Sequence, residues 1–197
     1  MNKDIIGSLR PALVMTLLFA ALLGLAYPLA ITAVGQALFP VQANGSLVRD
    51  NGRVVGSTVV GQAFASDRYF HSRPSAAGGD GYDGLASSGS NLGPTSRALA
   101  ERVKADVARL SGTAPGPNVP PDLVTTSASG LDPHISPEAA LYQVERVAHA
   151  RSLDPANVRR IVEQAIETPL LGFLGEPRVN LFKLNRRLDA LGAKPAA

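Results

Sequence analysis

Charged residues are absent from one long segment near the start of the chain and frequent after it. No Asp, Glu, Lys or Arg occurs between Pro11 and Val48, and the most apolar stretch runs from Ala12 to Ala33. As an α-helix, a segment of that length extends roughly 33 Å, enough to cross the ~30 Å hydrocarbon core of a bilayer. A buried helix of a soluble domain would not need so long an uncharged stretch, so we predict one transmembrane helix over residues 12–33.

Two features of this segment bear on that prediction. Gly24 and Pro28 lie inside it, and both are tolerated in membrane helices, where they can bend the helix. The alternative is a cleaved signal peptide, with the small residues of Val41–Ala43 at its cleavage site. The apolar region of a signal peptide is about 7–15 residues long, so the length of the segment favours an uncleaved anchor.

The charges that flank the segment predict its orientation. Lys3 and Arg10 precede the helix, whereas the first charge that follows it is Arg49. Because positive residues accumulate on the cytoplasmic side of a membrane helix, residues 1–11 are expected in the cytoplasm and the domain over 34–197 outside it.

The first part of the external domain predicts β-structure followed by loop. Leu47-Val48 and Val54-Val55 flank the sequence Asp50-Asn51-Gly52, and Asn-Gly tolerates the positive φ angles of a tight hairpin turn. We therefore predict a β-hairpin here, which Val59-Val60 could extend with a further strand. Residues 61–91 are rich in Gly and Ser, and we interpret them as mostly loop.

Four later stretches carry apolar residues at helical spacing. In two of them the start is marked by a hydroxyl or carboxylate cap followed by proline. Pro169 is the expected stop of the third stretch and Gly192 that of the fourth. The stretches are Ser96–Leu110, a helix beginning at Ser136-Pro137, a helix beginning at Asp154-Pro155, and Asn180–Leu191; a proline-rich linker over 111–122 and a short strand over 123–126 separate the first two. The predicted class is α+β: one N-terminal transmembrane helix, then a mixed α+β external domain with an N-terminal hairpin and about four helices.

The stretch "SSGSNLGPTS", Ser87–Ser96, is the most distinctive loop and directly precedes a helix. Glycine-rich loops before helices can bind phosphate, but a P-loop requires a lysine after the glycines, and none follows here. Pro94 also removes one backbone N–H group. We therefore interpret the segment first as a turn in which Thr95 or Ser96 caps the helix, second as a partner contact, and last as a phosphate site.

Other kinds of chemistry lack their usual patterns. The chain has no cysteine, so it can form no disulfide or thiolate metal site, and its serines lack the G-x-S-x-G pattern of a nucleophile elbow. His134 is expected to form a hydrogen bond within a tight turn, whereas His71 lies in a loop where it could contact a partner. None of the histidines has a recognised zinc spacing: His71, His134 and His149. We assign no catalytic, cofactor-binding or metal-binding residue.

Nucleic acid is not an expected partner. The net charge of +3 comes from interspersed residues of both signs, and few aromatic residues are present to stack on bases. The one basic cluster is interpreted as a solvated helix face: Arg178, Lys183, Arg186 and Arg187.

Several segments together resemble a known family. "NGRVVGSTVVGQAF", "YFHSRPSA", "SGSNLGPTS", "SGLDPHISPEAALYQVERVAHAR" and "VNLFKLN" are similar, in this order and after a single N-terminal span, to the C subunit of the Kdp-type potassium-transporting ATPase of bacteria. The resemblance covers nearly the whole chain. One departure is Ser88, where the family has glycine; if the family backbone needs a positive φ there, Ser88 would adopt it only at some cost.

The resemblance implies a function that composition does not. It implies a non-catalytic accessory subunit of an ATP-driven potassium-import complex in the bacterial inner membrane, with its C-terminal domain periplasmic. Its implied partners are the potassium-conducting A subunit, the ATP-hydrolysing B subunit, the small F subunit and the lipid bilayer. The family subunit is described as a catalytic chaperone that raises the ATP affinity of the ATPase subunit; ATP is used by the complex, and no cofactor is assigned to this chain.

Polar and aromatic loop segments without core periodicity are the expected partner contacts. For Tyr69, Phe70 and Arg73, which are expected to be exposed, local packing under a long loop is the alternative. The candidates are Gln62, Tyr69, Phe70, Arg73, Ser88, Gly89, Ser90, Asn91 and Gly93. The alternative function is a membrane-anchored periplasmic hydrolase or ligand-binding domain, which would require convergent polar groups in a pocket.

Overall fold

The computed structural model describes residues 2–112 and 118–192, which divide into two compact units at Leu47/Val48. The first unit is a nearly continuous helix made of α1 (Asn2–Ala21), a π-helical turn (Leu22–Ala26) and α2 (Tyr27–Leu38), followed by the short α3 (Pro40–Ala43). Residues Ile6–Leu38 form the one helix in the described part of the chain that is long and apolar enough to cross a membrane. This helix contains the predicted span.

Proline explains the position of the π-helical turn. Pro28 has no N–H group to donate to the carbonyl of Gly24, and its ring clashes with that carbonyl in a regular α-helix. The helix widens just before Pro28, and the Tyr27 N–H group donates to the Leu22 carbonyl instead. The irregularity therefore includes Gly24 and ends two residues before Pro28, in the part of the helix where the sequence indicated a bend.

The second unit begins with the predicted hairpin. Strands β1 (Leu47–Asp50) and β2 (Arg53–Ser57) pair through a turn in which Asn51 and Gly52 have φ values of 48° and 80°. The prediction of a further strand at Val59-Val60 was wrong. The Val59 N–H group donates to Ser57 Oγ at 3.2 Å, and this local turn bends the chain out of the strand.

The predicted helices are present, and their caps are those that the sequence indicated. Helix α4 (Arg97–Leu110) is capped by Ser96, α5 (Pro137–Tyr142) by Ser136, and α7 (Pro155–Ala165) by Asp154. In each case the cap side chain accepts a hydrogen bond from a backbone N–H group of the first turn. The remaining helices are α6 (Val144–Arg151) and α8 (Leu181–Gly192).

Three details differ from the sequence-based expectation. The helix that starts at Ser136 breaks at Gln143 into α5 and α6. Helix α7 ends at Ala165 because the next two residues enter a strand, so Pro169 is not its stop. The expected strand over 123–126 is instead a 3₁₀ turn, Pro121–Leu123, followed by further turns.

A small antiparallel sheet was not predicted. Its strands are β3 (His134–Ile135), β4 (Ile166–Glu167) and β5 (Arg178–Asn180), in the order β3-β5-β4. The central residue is Val179, which lies opposite Ile135 on one side and Ile166 on the other. Strands of two or three residues carry no periodicity, so only the tertiary fold reveals them.

The core of the second unit joins the helices to the sheet and to the loop. The buried side chains of α5–α8 and β5 form one cluster, which includes Val144, Val147, Val158, Val162, Val179, Leu184 and Leu188. Helix α4 adds Leu110, and Phe70 from the loop between β2 and α4 is completely buried in the same cluster. The loop is therefore part of the packed domain.

Candidate functional site

The predicted partner contacts all lie in the long loop, residues 58–95, which connects β2 to α4. In its first half, two amide side chains hold the backbone. The Phe70 N–H group donates to Asn185 Oδ1 at 2.9 Å, and Asn185 Nδ2 donates to the Phe70 carbonyl at 3.0 Å. Gln143 forms the same pair of bonds with His71, at 2.7 and 3.2 Å.

These contacts correct one expectation. Phe70 was expected to be exposed, but its side chain is 0% accessible and packs in the core. The alternative interpretation of Phe70, local packing under a long loop, is therefore the correct one. The buried amides satisfy the backbone hydrogen-bonding groups of Phe70 and His71, and the Phe70 ring is packed in the core. Together these contacts hold the segment in one position.

Two arginines on α6 bind the backbone of the same half of the loop. Arg146 donates to the carbonyls of Asp67 and Tyr69 at 2.8 and 3.0 Å. Arg151 donates to the Arg68 carbonyl at 2.6 Å and to Asp189 Oδ1 at 2.9 Å, and its guanidinium lies 5.0 Å from the centre of the Tyr69 ring. Tyr69 is therefore half-buried against an arginine of its own chain.

Gln62 and Arg73 also make contacts within the domain. Gln62 Nε2 donates to the Val55 carbonyl at 3.4 Å. Arg73 donates to the Thr125 carbonyl at 3.3 Å and forms an ion pair with Asp132 at 3.5 Å. Both residues are only partly exposed. Because their polar groups bond to residues outside the loop, they help to connect the loop to the rest of the domain.

In the second half of the loop, Ser87–Ser90 runs along the segment Thr126–Ser129. The Ser88 N–H group donates to the Ser129 carbonyl at 3.0 Å, and the Ser87 hydroxyl donates to the same carbonyl at 2.9 Å. The Thr126 hydroxyl donates to Ser90 Oγ at 3.1 Å. Between them, Gly89 approaches so closely that an added Cβ would lie 2.9 Å from the Ala128 carbonyl oxygen.

The departure from the family pattern at Ser88 brings no backbone strain. The left-handed residue of this segment is Asn91, with φ of 51°, and Ser88 is not among the residues with positive φ. Asparagine tolerates that conformation better than most residues do. The expected cost at Ser88 is therefore absent.

The loop projects into solvent at residues 91–95, which we call the apex. Asn91, Leu92 and Gly93 are exposed, and the Ser96 N–H group donates to the Gly93 carbonyl at 2.9 Å to close a turn. Ser96 Oγ then accepts from the Leu99 N–H group at 3.4 Å. This stretch is a turn that begins a helix, as the first of the three interpretations predicted, and Ser96 rather than Thr95 is the cap.

A polar cleft of about 330 Å³ lies beside the loop and is lined by charged residues that include Arg73, Asp122, Asp132, His134 and Arg178. His134 Nδ1 is 3.3 Å from Asp132 Oδ1, and its Nε2 is 3.3 Å from Asn180 Nδ2. The hydrogen bond from His134 lowers the pKa of Asp132, and Arg73 adds a smaller effect in the same direction. His134 therefore makes the predicted local hydrogen bond, with Asp132, but it lies in strand β3, and its Nε2 contact is with Asn180 of β5.

The described residues contain no group of three or more His, Cys, Asp or Glu side chains that could hold a metal ion. The pKa of His71 is lowered, first by burial and then by the charge of Arg146. His71 Nε2 lies 3.1 Å from the Ser66 carbonyl and 3.5 Å from Arg146 Nη1. Its polar contacts are thus made within the domain.

Sequence reasoning missed the residues that hold the loop in place. Gln143 and Asn185 lie at helical spacing from buried apolar residues, Ala139 and Val147 for the first, Leu181 and Leu188 for the second. A polar amide on an apolar stripe is the signal that could have identified them, because a buried amide requires hydrogen-bond partners. Their partners, some 70 and 115 positions away, could not be read from the sequence.

Comparison with known proteins gives consistent matches over almost the full length. A family model described as "KdpC: K+-transporting ATPase, c chain" matches residues 9–190. The chain is 57% identical over 186 residues to the "Potassium-transporting ATPase KdpC subunit" of Caulobacter vibrioides, covering 94% of each protein. A protein of the same description from Nitratidesulfovibrio vulgaris is 56% identical, over 92% of this chain and 93% of its own length. Another, from Sorangium cellulosum, is 58% identical, over 93% of this chain and 98% of its own length.

Proposed function

Because the chain belongs to the family of K+-transporting ATPase c chains, we propose that it is a non-catalytic accessory subunit of an ATP-driven complex that imports potassium. In this proposal the chemical and conducting steps belong to partner chains: a potassium-conducting A subunit, an ATP-hydrolysing B subunit and a small F subunit. This chain contributes a single membrane anchor and an external domain that contacts its partners, assists assembly and couples the subunits.

The observation that carries the proposal is the way in which the long loop presents its apex. The inward polar groups of Ser87, Ser88 and Ser90 are bonded within the domain, whereas Asn91 and Gly93 are exposed. A loop that is already ordered before binding loses little conformational entropy when a partner docks on it. This arrangement favours a preformed protein-contact surface at residues 91–95.

The alternative function, a hydrolase, has less support. A serine nucleophile needs an adjacent base. The Ser87 hydroxyl instead donates to a backbone carbonyl, and Ser90 accepts from a threonine hydroxyl. The ring nitrogens of His134 contact Asp132 and Asn180. These hydroxyls and this imidazole contribute to the packing of the loop and the sheet.

The proposed orientation places residues 1–11 in the cytoplasm and residues 34–197 in the periplasm, with the helix across the bacterial inner membrane. The apex would then lie on the opposite side of the membrane from ATP. Any effect of this subunit on the ATP affinity of the ATPase subunit would be coupling through the assembled complex, without direct contact between the loop and the nucleotide.

The test is purification of the complex through a tag at the C-terminus, from potassium-starved cells, in a mild detergent. We expect a P-type ATPase and a large potassium-conducting subunit to co-purify in fixed proportion. Gly93→Arg, at the exposed apex, is expected to lower their recovery by about tenfold, the effect of losing roughly 1.4 kcal/mol of binding free energy. Gly112→Arg is the matched control, since Gly112 is also exposed and neither glycine has another atom within 4 Å of an added Cβ.

The outcomes separate two parts of the proposal. A chain that purifies alone would overturn the role as a complex subunit. Equal recovery with both variants would keep that role but remove the apex from the contact surface.

A further inference from the structure

The connection between β4 and β5 exposes a dense group of large apolar side chains. Within five consecutive residues, which we call the apolar tip, four side chains are more than half exposed: Leu170 at 71%, Leu171 at 74%, Phe173 at 73% and Leu174 at 51%. Water is an unfavourable environment for so many adjacent apolar groups. The tip is outside the long loop and has no part in the proposed apex contact.

The backbone of the tip is folded on itself. The Gly172 N–H group donates to the Pro169 carbonyl and the Leu174 N–H group to the Leu170 carbonyl, both at 3.0 Å. Leu171 and Gly172 adopt positive φ values of 56° and 81°, which close the turn. Internal hydrogen bonds of this kind reduce the cost of removing the backbone from water.

Charged residues lie at the base of the same hairpin. Glu167 and Arg178 are register partners in β4 and β5, and Arg178 Nε is 3.3 Å from the Glu167 carboxylate. Lys183 Nζ lies 2.8 Å from the same carboxylate. The Arg178 and Lys183 side chains remain at least half exposed, so their ends can reach polar groups outside the protein. The hairpin thus changes from charged at its base to apolar at its tip.

We propose that the apolar tip, residues Leu170–Leu174, inserts into the interfacial layer of the lipid bilayer, with Arg178 and Lys183 at the depth of the lipid headgroups. The inference rests on the membrane anchoring in the proposed function. The apolar helix ends at Leu38 and the domain begins at Val48, and a short tether of this kind gives the domain a high effective concentration at the bilayer surface.

The distribution of exposure favours lipid over a protein groove. Two large apolar side chains are exposed before Gly172 and two after it, so both arms of the turn carry exposed apolar groups. Fluid acyl chains can surround a turn whose two arms both carry exposed apolar side chains, whereas a docked protein surface covers one side of a hairpin. The charged base is then at the level where basic side chains meet phosphate groups.

The absence of cysteine from the chain allows a direct test by labelling the full-length protein. Phe173→Cys and Leu85→Cys variants are labelled with the environment-sensitive fluorophore NBD and reconstituted into vesicles of phosphatidylethanolamine and phosphatidylglycerol. Leu85 is the control, since it is an isolated apolar residue of the long loop with 99% exposure. We expect the label at position 173 to shift to shorter emission wavelength and to be quenched by lipids that carry a shallow doxyl group. The label at position 85 is expected to show neither effect.

Three results would overturn the inference in distinguishable ways. A label at position 173 that stays in water in these vesicles, but shifts when the complex is assembled, would assign the tip to a partner protein. A label that stays in water in both preparations would leave the tip in solvent. Failure of both variants to float with the vesicles would overturn the membrane anchoring itself, and with it this inference.

Discussion

Asn185 shows why buried amides hold the long loop. A backbone segment that enters a core must satisfy both an N–H group and a carbonyl, and an amide side chain carries one acceptor and a donor group in a fixed geometry. Asn185, which is 1% exposed, serves both groups of Phe70. A carboxylate would have no donor, and a shorter hydroxyl would not span the two groups.

Replacing Asn185 with alanine is therefore expected to destabilise the domain by about 2–4 kcal/mol, since two buried backbone groups lose their partners. The measurement is the free energy of unfolding of the full chain in detergent. Asn157→Ala is the matched control; Asn157 is exposed on α7, and its substitution should change the free energy of unfolding by less than about 0.5 kcal/mol. Equal effects of the two substitutions would contradict the role given to Asn185.

His71 is expected to make the stability depend on pH. Its pKa in the folded chain is lowered by burial and by Arg146, whereas in the unfolded chain it is about 6.5. The unfolded chain therefore binds a proton more readily between these two pKa values. The contribution of the neutral ring is complete above about pH 6.5 and decreases as the pH falls toward the lower, folded-state pKa.

This dependence can be measured by comparing thermal unfolding at about pH 7.5 and about pH 5.5 for the wild type and for His71→Gln, which cannot titrate. The wild type is expected to lose more stability on acidification than the variant does. The pKa values of Asp132 and Glu167 are lowered, so these carboxylates lose their contributions to stability only at a more acidic pH. They therefore cause no difference between the two proteins over the pH range compared. The same loss in both proteins would show that His71 is not responsible.

At the scale of elements, the pairing of Ser87–Ser90 with Thr126–Ser129 connects two irregular segments as a strand pair would. It depends on the absence of a side chain at Gly89, where an added Cβ would lie 2.9 Å from the Ala128 carbonyl oxygen. That atom belongs to the backbone, so it cannot move aside by a change of rotamer. The close approach explains why this position suits glycine although its φ is not positive.

Gly89→Ala is accordingly expected to cost about 1–3 kcal/mol, the usual range for overpacking, and to expose the Ser88 amide to hydrogen exchange. Gly93→Ala in the same loop is the control, since no atom lies within 4 Å of its added Cβ. Hydrogen exchange of the full chain, followed by mass spectrometry, measures both variants. Unchanged protection of the Ser88 amide in Gly89→Ala would show that the two segments stay paired, and would contradict the need for glycine at this position.

At the scale of the whole molecule, the proposed orientation can be tested with single cysteines in the cysteine-free chain. In cells whose outer membrane has been removed, a membrane-impermeant maleimide is expected to label Leu85→Cys directly. It should label Lys3→Cys only after the membrane is permeabilised, because the positive-inside rule places Lys3 in the cytoplasm. The reverse pattern would place the long loop on the ATP side and would reopen direct contact with nucleotide.

Features with a local cause were predictable from the sequence. The caps at Ser96, Ser136 and Asp154 depend on residues within one turn, and the Asn51-Gly52 hairpin depends on the φ angles that two residues tolerate. The membrane-length helix follows from an uninterrupted apolar segment. Family membership, too, could be inferred from ordered sequence segments alone.

Features that depend on distant residues were decided by the tertiary structure. The sheet around Val179 joins three strands too short to show a period, and the burial of Phe70 depends on Asn185, 115 positions away. The exposure of the apolar tip is likewise invisible in a sequence, where the same leucines could as well have been core. Chain-local energies determine which elements form, whereas the hydrogen-bond partners of buried groups and the residues left in solvent are set only when those elements pack together.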